Sequence, residues 1–444
     1  MLSDQQGNNL SGASVEAVQL YDRAVTTFNL YRGDPFHLLD RAIEQAPCFG
    51  MAYILKAYLC AMATEPSSIS AAQGMLEKAQ ALPVNEREKS HINALNHLLK
   101  GNWSKAATLL DHHNITYPRD LIGLQIGHLI DFYRANSRNL RDRIARVLRQ
   151  WSPEIPGYAI LLGMHAFGLE ECGHYAQAEE SGRQAIEMEP LDCWAHHAVA
   201  HVMEMQGRVQ DGIGWMTTRE SCWSGEDNFF KVHNWWHLAL YYLDLGQFDT
   251  ALALYDGPVR EDRSSVALDM VDASALLWRL ELLGCKVGNR WQELANQWDQ
   301  HADGKLYPFN DWHAVMAYLG AGRDADVERL LTLFQSQSRS SKEVAIWAHQ
   351  IGLPLMKGFK AFWNGDYQAA AEQLYSARYI SNRFGGSHAQ RDIIDLTLTE
   401  AALRGGMRNL AQALANERLA LKPHSAMNLN FLSRAAMEQN LMSD

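Results

Sequence analysis

Apolar residues recur along this chain at three- and four-residue spacing, with polar residues filling the intervals. Tyr158-Ala-Ile-Leu-Leu-Gly-Met-His-Ala-Phe and Trp236-His-Leu-Ala-Leu-Tyr-Tyr-Leu carry the pattern in dense form. That period belongs to an α-helix with one face turned to a core, and convincing strand alternation is missing. The 12 prolines seldom interrupt these stretches, and several stand just before a new helix, where proline is tolerated. Loops are expected near 64–70, 221–228, 257–264, 302–310 and 385–388.

The helical stretches repeat. Gly173-His-Tyr-Ala-Gln-Ala and Gly207-Arg lie 34 residues apart, each at the junction between two helices. Ala178, Gly182, Ala185 and Pro190 then follow the small, large, small, proline pattern of a tetratricopeptide second helix, with Gly182 a weak match at the large position. Gly246 with Ala251 and Tyr255, Gly365-Asp-Tyr-Gln-Ala, and Gly406 with Ala411, Ala415 and Pro423 repeat it; Gly101 and Gly322 begin half-matches. Small residues at these positions let two helices of a hairpin approach closely, and each hairpin needs neighbours to cover its apolar face. The fold expected is all-α: a degenerate tetratricopeptide-like helix-hairpin solenoid, an α-α superhelix. The irregular spacing admits both an open spiral and one tight enough to enclose a central cavity. The expected organisation is a disordered tail over 1–14 and one repeat domain over 15–444. Within that domain lie N-terminal helices at 15–150, histidine-rich repeats at 151–330 and C-terminal repeats at 331–436.

Charge and composition narrow the classes of partner. A formal net charge of −11 gives no general attraction for nucleic acid or an anionic membrane. No apolar run approaches the roughly 18 residues of a membrane span. The opening MLSDQQGNNLSGAS has neither a basic nor an apolar region, so it does not read as a signal peptide. The six cysteines are scattered without a Cys-x-x-Cys pair, which fits reduced thiols and a cytoplasmic location. No nucleotide-binding fingerprint is present, so no nucleotide cofactor is expected.

Histidine departs from this even distribution. Of 18 histidines, seven fall within the 73 residues from His165 to His237. His197, His201 and Glu204 are spaced i, i+4, i+7, one stripe on one helix. In a tetratricopeptide hairpin that stripe faces the concave groove, while Val199, Ala200 and Met203 take the core side. His233 and His237 repeat the four-residue spacing on a later helix, with Trp235 and Trp236 between them. Two such pairs suit a divalent transition metal, since neutral imidazoles four apart can chelate one ion. Nitrogen-rich ligation fits zinc, copper, nickel or iron. The expected metal ligands are thus His197, His201, His233 and His237. Glu204 is a ligand, an orienting carboxylate or an acid/base group. His165, Asp311, His313, His388 and Asp392 complete the candidate catalytic set. Trp235, Trp236, Trp278 and Trp312 would form an apolar wall for the substrate. Asp269 and Asp272 stand one turn apart on another helix.

Plainer readings accompany each of these. A single His-x-x-x-His pair is weak evidence, any one tryptophan is more often core than wall, and buried histidines commonly satisfy hydrogen bonds. His196 reads as core. His91, His97, His112 and His113 lie outside the cluster and read as surface residues.

Trp194-Ala-His-His-Ala-Val-Ala-His201-Val-Met-Glu204, Asn234-Trp-Trp-His237-Leu-Ala-Leu-Tyr, Ser274-Ala-Leu-Leu-Trp278-Arg-Leu-Glu-Leu, Phe309-Asn-Asp-Trp-His313-Ala-Val-Met-Ala-Tyr and Gly386-Ser-His388-Ala-Gln-Arg391-Asp392 carry a likeness. Through them the stretch from His37 to Arg434 resembles the tetratricopeptide repeat protein 38 family, also described as StaR-like. The resemblance implies a soluble helical-repeat protein. Some bacterial relatives occur beside natural-product pathways, which implies a role in secondary metabolism; it carries over no set of catalytic residues. Two functions follow. One is a small-molecule enzyme or ligand-binding protein with a His/Glu/Trp-lined cavity. The other is an interaction scaffold without catalysis, taking a protein partner or forming a homodimer.

Overall fold

The computed structural model describes residues 2–440. Among them the sole strands are Leu2–Ser3 and Asn9–Leu10, an antiparallel pair; the regular structure is otherwise helical. The chain divides into two compact units. The first comprises residues 1–199 with 219–231, and the second 200–218 with 232–444. The division falls inside one continuous helix, between Val199 and Ala200.

The first unit contains α1 (Val15–Asn29), α2 (Pro35–Gln45), α3 (Gly50–Met62), α4 (Pro66–Gln80), α5 (Glu86–Leu99), α6 (Trp103–Thr116), α7 (Leu121–Tyr133) and α8 (Ser137–Ala145). After them come α9 (Tyr158–Glu171), α10 (Tyr175–Met188) and the start of α11 (Cys193–Met205). Sequential helices pack on one another, as α1 on α2, α3 on α4, α5 on α6 and α9 on α10. Helices α3, α7 and α9 are apolar nearly all round and form the interior, while their partners bury one stripe.

The second unit holds the end of α11, α12 (Val209–Thr218), α14 (Lys231–Asp244) and α15 (Phe248–Leu254); the short α13 (Glu220–Trp223) belongs to the first. It continues with α16 (Ala267–Leu282), α17 (Arg290–Trp298), α18 (Pro308–Gly320), α19 (Asp324–Ser336) and α20 (Glu343–Trp347). It ends with α21 (Leu353–Trp363), α22 (Tyr367–Ala377), α23 (His388–Arg404), α24 (Arg408–Leu421) and α25 (Ala426–Asn440). No helix of the described residues is long and apolar enough to cross a membrane.

The expected hairpin junctions are present. Gly101, Gly173, Gly207, Gly246, Gly322, Gly365 and Gly406 all have φ between +64° and +79°, left-handed values that suit glycine at a helix end. At Gly173 the turn closes with backbone bonds from Gly173 N to Glu170 O (2.8 Å) and from His174 N to Leu169 O (2.9 Å). The departure from pattern at Gly182 has a steric cause: a Cβ there would lie 2.5 Å from Val199 Cγ2. Helix α10 approaches α11 too closely for the larger residue of the consensus. The loop expected at 64–70 is shorter than predicted, because α4 begins at Pro66, and that at 302–310 ends where α18 begins at Pro308.

The N-terminal stretch is ordered, contrary to the expectation of a frayed tail. Asp4 accepts from the backbone N–H of Asn8 (2.8 Å) and of Gln6 (3.1 Å), closing the turn between the two strands. Glu88 Oε1 accepts from Ser11 N (2.9 Å), and Arg87 donates to Asn9 O (3.2 Å). Gly12 has φ +72°, and a Cβ on it would meet the Cys48 carbonyl oxygen at 1.9 Å. Polar side chains some 75 residues away in sequence pin a segment that has no apolar periodicity of its own.

Candidate functional site

Helix α11 is built to be enclosed. His201 is fully buried, and so are Val199, Ala200 and Met203 on its other sides. His201, on the stripe expected to face a concave groove, is thus shielded from solvent. Within the second unit α14 lies against this helix: Tyr241 donates to the Ala200 carbonyl (2.6 Å), and Gly212 of α12 leaves the room its ring needs. That packing brings the His201 and His237 rings to a centroid separation of 4.4 Å. His233, one turn before His237, is about one-tenth exposed.

The ring nitrogens are arranged by carboxylates. His237 Nδ1 meets Glu204 Oε2 at 3.1 Å, and His233 Nδ1 meets Asp272 Oδ2, on α16, at 2.7 Å. An ionised carboxylate only accepts, so each contact fixes the proton on Nδ1. The two Nε2 atoms then face each other at 3.2 Å. Lys422 steadies Glu204 from the far side (Nζ to Oε1, 3.3 Å), and Gln390 reaches the other oxygen of Asp272 at 3.5 Å. Trp236 stacks on His233 at 5.3 Å and meets His237 edge-on at 4.8 Å; the Arg279 guanidinium lies over the Trp236 ring at 5.3 Å. Burial, the neighbouring imidazoles, Arg279 and Lys422 push the His237 pKa well below the usual value, so that ring is neutral.

His201, His233 and His237 each offer a ring nitrogen, and these lie within 4.8 Å of one another. His197 stands one turn before His201 on the same unbroken helix. Within the first unit its ring lies among Phe167, Trp194 and Phe230, with centroids at 5.2, 5.0 and 5.3 Å.

The remaining candidates are dispersed. His165 is half-buried on α9 in the first unit, with its pKa lowered by burial and then by Arg141. Asp311 is buried at the start of α18, where Oδ1 accepts from Gly304 N (2.9 Å); burial raises its pKa well above the carboxylate range. His313 Nδ1 contacts the Phe309 carbonyl (2.8 Å), and burial takes its pKa down to about 3. Both thus have local bonding roles within α18 and the loop before it. His388 and Asp392 line a separate cavity at the start of α23. Among the tryptophans named as a wall, Trp236, Trp278 and Trp312 are at most 1% exposed. Trp278 bonds Thr397 Oγ1 (3.0 Å) and stacks on Phe359, and Trp312 packs on Phe359 and Phe384, so these rings serve the core. Trp235 is half-buried.

Sequence reasoning left Asp272 and Lys422 out of the site. Asp272 carried a signal, its pairing with Asp269 one turn away on a helix near the histidines. Lys422 carried none, because it is 218 residues from the glutamate it meets.

His91 and His113, expected on the surface, are buried in the first unit. Both Nε2 atoms meet Asp120 Oδ2, at 2.9 and 3.0 Å, and Arg87 Nη1 reaches the same oxygen at 2.5 Å. Asp120 Oδ1 caps α7 through Gly123 N (3.0 Å). These three form a second group of His and Asp with metal-ligand spacing. Here a guanidinium already supplies the positive charge, so the arrangement is that of a structural ion-pair cluster.

No protein-family model matches the chain. Among solved structures it is similar to one from the APC/C hetero-tetramer Cut9–Hcn1, with a TM-score of 0.45 and 15% identity, covering 96% of this chain and 77% of that one. It is also similar to the human IFIT1 dimer with PPP-AAAA, with a TM-score of 0.41 and 13% identity, covering 96% of both chains.

Proposed function

We propose that this is a helical-repeat binding protein with a divalent transition-metal centre. Its ligands are His201, His233 and His237, all within the second unit. The observation that carries this reading is the facing pair of Nε2 atoms. Asp272 and Glu204 each accept a hydrogen bond from the Nδ1 side, which turns the two Nε2 atoms to each other at 3.2 Å, where a shared cation can take both lone pairs. Two nitrogens bound to one zinc ion at 2.0–2.1 Å and the tetrahedral angle stand about 3.3 Å apart. A carboxylate on the far nitrogen of each imidazole is the usual means of orienting a histidine ligand. Zinc, copper, nickel and iron all suit this donor set.

What the centre does depends on its fourth position. Three histidines with an open position suit chemistry on a small molecule, whereas four make a closed site that staples helices together. The burial of His201 and His237 favours the second case. On that reading the protein acts as an interaction scaffold for a protein partner, without catalysis. Membership of the tetratricopeptide repeat protein 38 family, with the link to secondary metabolism it implies, belongs to this proposal and rests on the segments around His201, His237, Trp278, His313 and His388.

The visible spectrum of cobalt(II)-loaded protein tests both parts. We expect intense four-coordinate bands, lost in His233→Ala. In the wild type, bands that shift when azide is added mark an open fourth position, and bands that azide leaves unmoved mark a closed one. Weak six-coordinate bands in the wild type would overturn the centre itself.

A further inference from the structure

The second unit contains a cavity of about 250 Å³ at the start of α23. We propose that it binds a small oxyanion, a carboxylate or phosphate group. Arg378, Arg391, Arg418 and Lys422 line it, against two carboxylates, Asp392 and Asp395. These cations are held in place. Arg418 grips Asp392 through both terminal nitrogens (2.8 and 3.2 Å) and donates through Nε to Asn428 (2.9 Å). Arg391 is tied to the Gly386 carbonyl. A fixed guanidinium loses little freedom on meeting an anion, which favours recognition of planar or tetrahedral oxyanions.

Arg378 gives the most direct indication of a ligand. Its Nε meets Asp395 (2.7 Å) and its Nη2 meets Glu417 (2.7 Å), while Nη1 is buried with no hydrogen-bond partner among the described residues. A buried donor of a charged group left unbonded is costly, and a small turn of the guanidinium toward the cavity it lines would give that donor an anion oxygen to meet. The 17-residue helix α23 also starts here, capped by Ser387 and Gln390, so its positive end adds to the same field. His388, its first residue, and Lys422 stand on the cavity lining. Burial raises the Asp392 pKa, but Arg418 outweighs it and takes it down to about 2, so this ion pair persists at neutral pH and keeps the Arg418 guanidinium fixed at the cavity.

This inference needs no metal, although Lys422 touches both the cavity and Glu204, and its test uses the chain as purified. Inorganic phosphate and succinate are titrated separately by calorimetry at constant ionic strength, with chloride as control. We expect saturable binding of at least one, weakened about tenfold or more in Arg378→Gln and severalfold in the half-buried His388→Gln, both checked for native circular dichroism. Preference for phosphate over succinate, or the reverse, assigns the headgroup. Absence of saturable binding to the wild-type chain, or affinity unchanged in both variants, overturns the proposal. The wild-type arm decides even where a variant does not fold.

Discussion

His233 and His237 turn their Nε2 atoms toward each other at 3.2 Å while carboxylates from two other helices hold their Nδ1 atoms. The carboxylates make no claim as ligands; they set tautomer and ring angle. In the proposed metal centre, Glu204→Gln and Asp272→Asn should therefore leave the ligand set intact but weaken metal binding by about 10- to 100-fold each. Competition against a calibrated chelator measures this. Affinities equal to wild type would mean that the carboxylates are incidental neighbours.

Asp120 neutralises Arg87 where both side chains are at most 4% exposed. Removing the carboxylate by Asp120→Ala strands a buried guanidinium and uncaps α7, at a cost of about 3–5 kcal/mol. Denaturant unfolding followed by circular dichroism gives the number. A loss below about 1 kcal/mol would show that water reaches Arg87 and replaces the pair.

Gly182 marks a close approach between helices. Gly182→Ala should destabilise the protein by about 1–3 kcal/mol through overpacking against Val199. Val199→Ala in the same chain should return part of that loss, because the two changes share one contact. Additive losses in the double variant would contradict this account of the junction.

The fold was legible because its signals are local. Each left-handed glycine between helices, from Gly101 to Gly406, ends an apolar-periodic stretch and can be read without tertiary knowledge. The histidine stripe was legible for the same reason, since residues four apart share a helix face. Burial was not. An i, i+4, i+7 polar stripe looks solvent-facing until another helix covers it, and the helix that covers His201 carries its own histidines. His91 and His113 were misplaced because their partner Asp120 comes from a later helix start. The N-terminal strands were missed because Glu88 and Arg87, not residues near them, hold them. Long-range polar pairing leaves no periodic trace in a sequence.

Buried neutral histidines also fix how stability responds to acid. Burial lowers the pKa of His91 from 6.5 to about 4 despite the adjacent Asp120. Below pH 6.5 the unfolded chain takes up a proton that the folded chain does not, so stability falls as pH drops from 6.5 toward 4. The whole shift corresponds to about 3 kcal/mol. His91→Gln should flatten the curve in that window, whatever it does to stability at pH 8. An unchanged slope in chemical denaturation between pH 4 and 6.5 would count against a neutral buried His91.

Metal content of the tag-free protein, measured by mass spectrometry of the intact folded chain and by elemental analysis, tests the central claim most directly. The account predicts about one transition-metal ion per chain in the wild type and none in His233→Ala or His237→Ala, with helicity retained in both. Wild-type protein that carries no ion and takes up none from a zinc or nickel buffer would contradict it, as would variants that keep the ion.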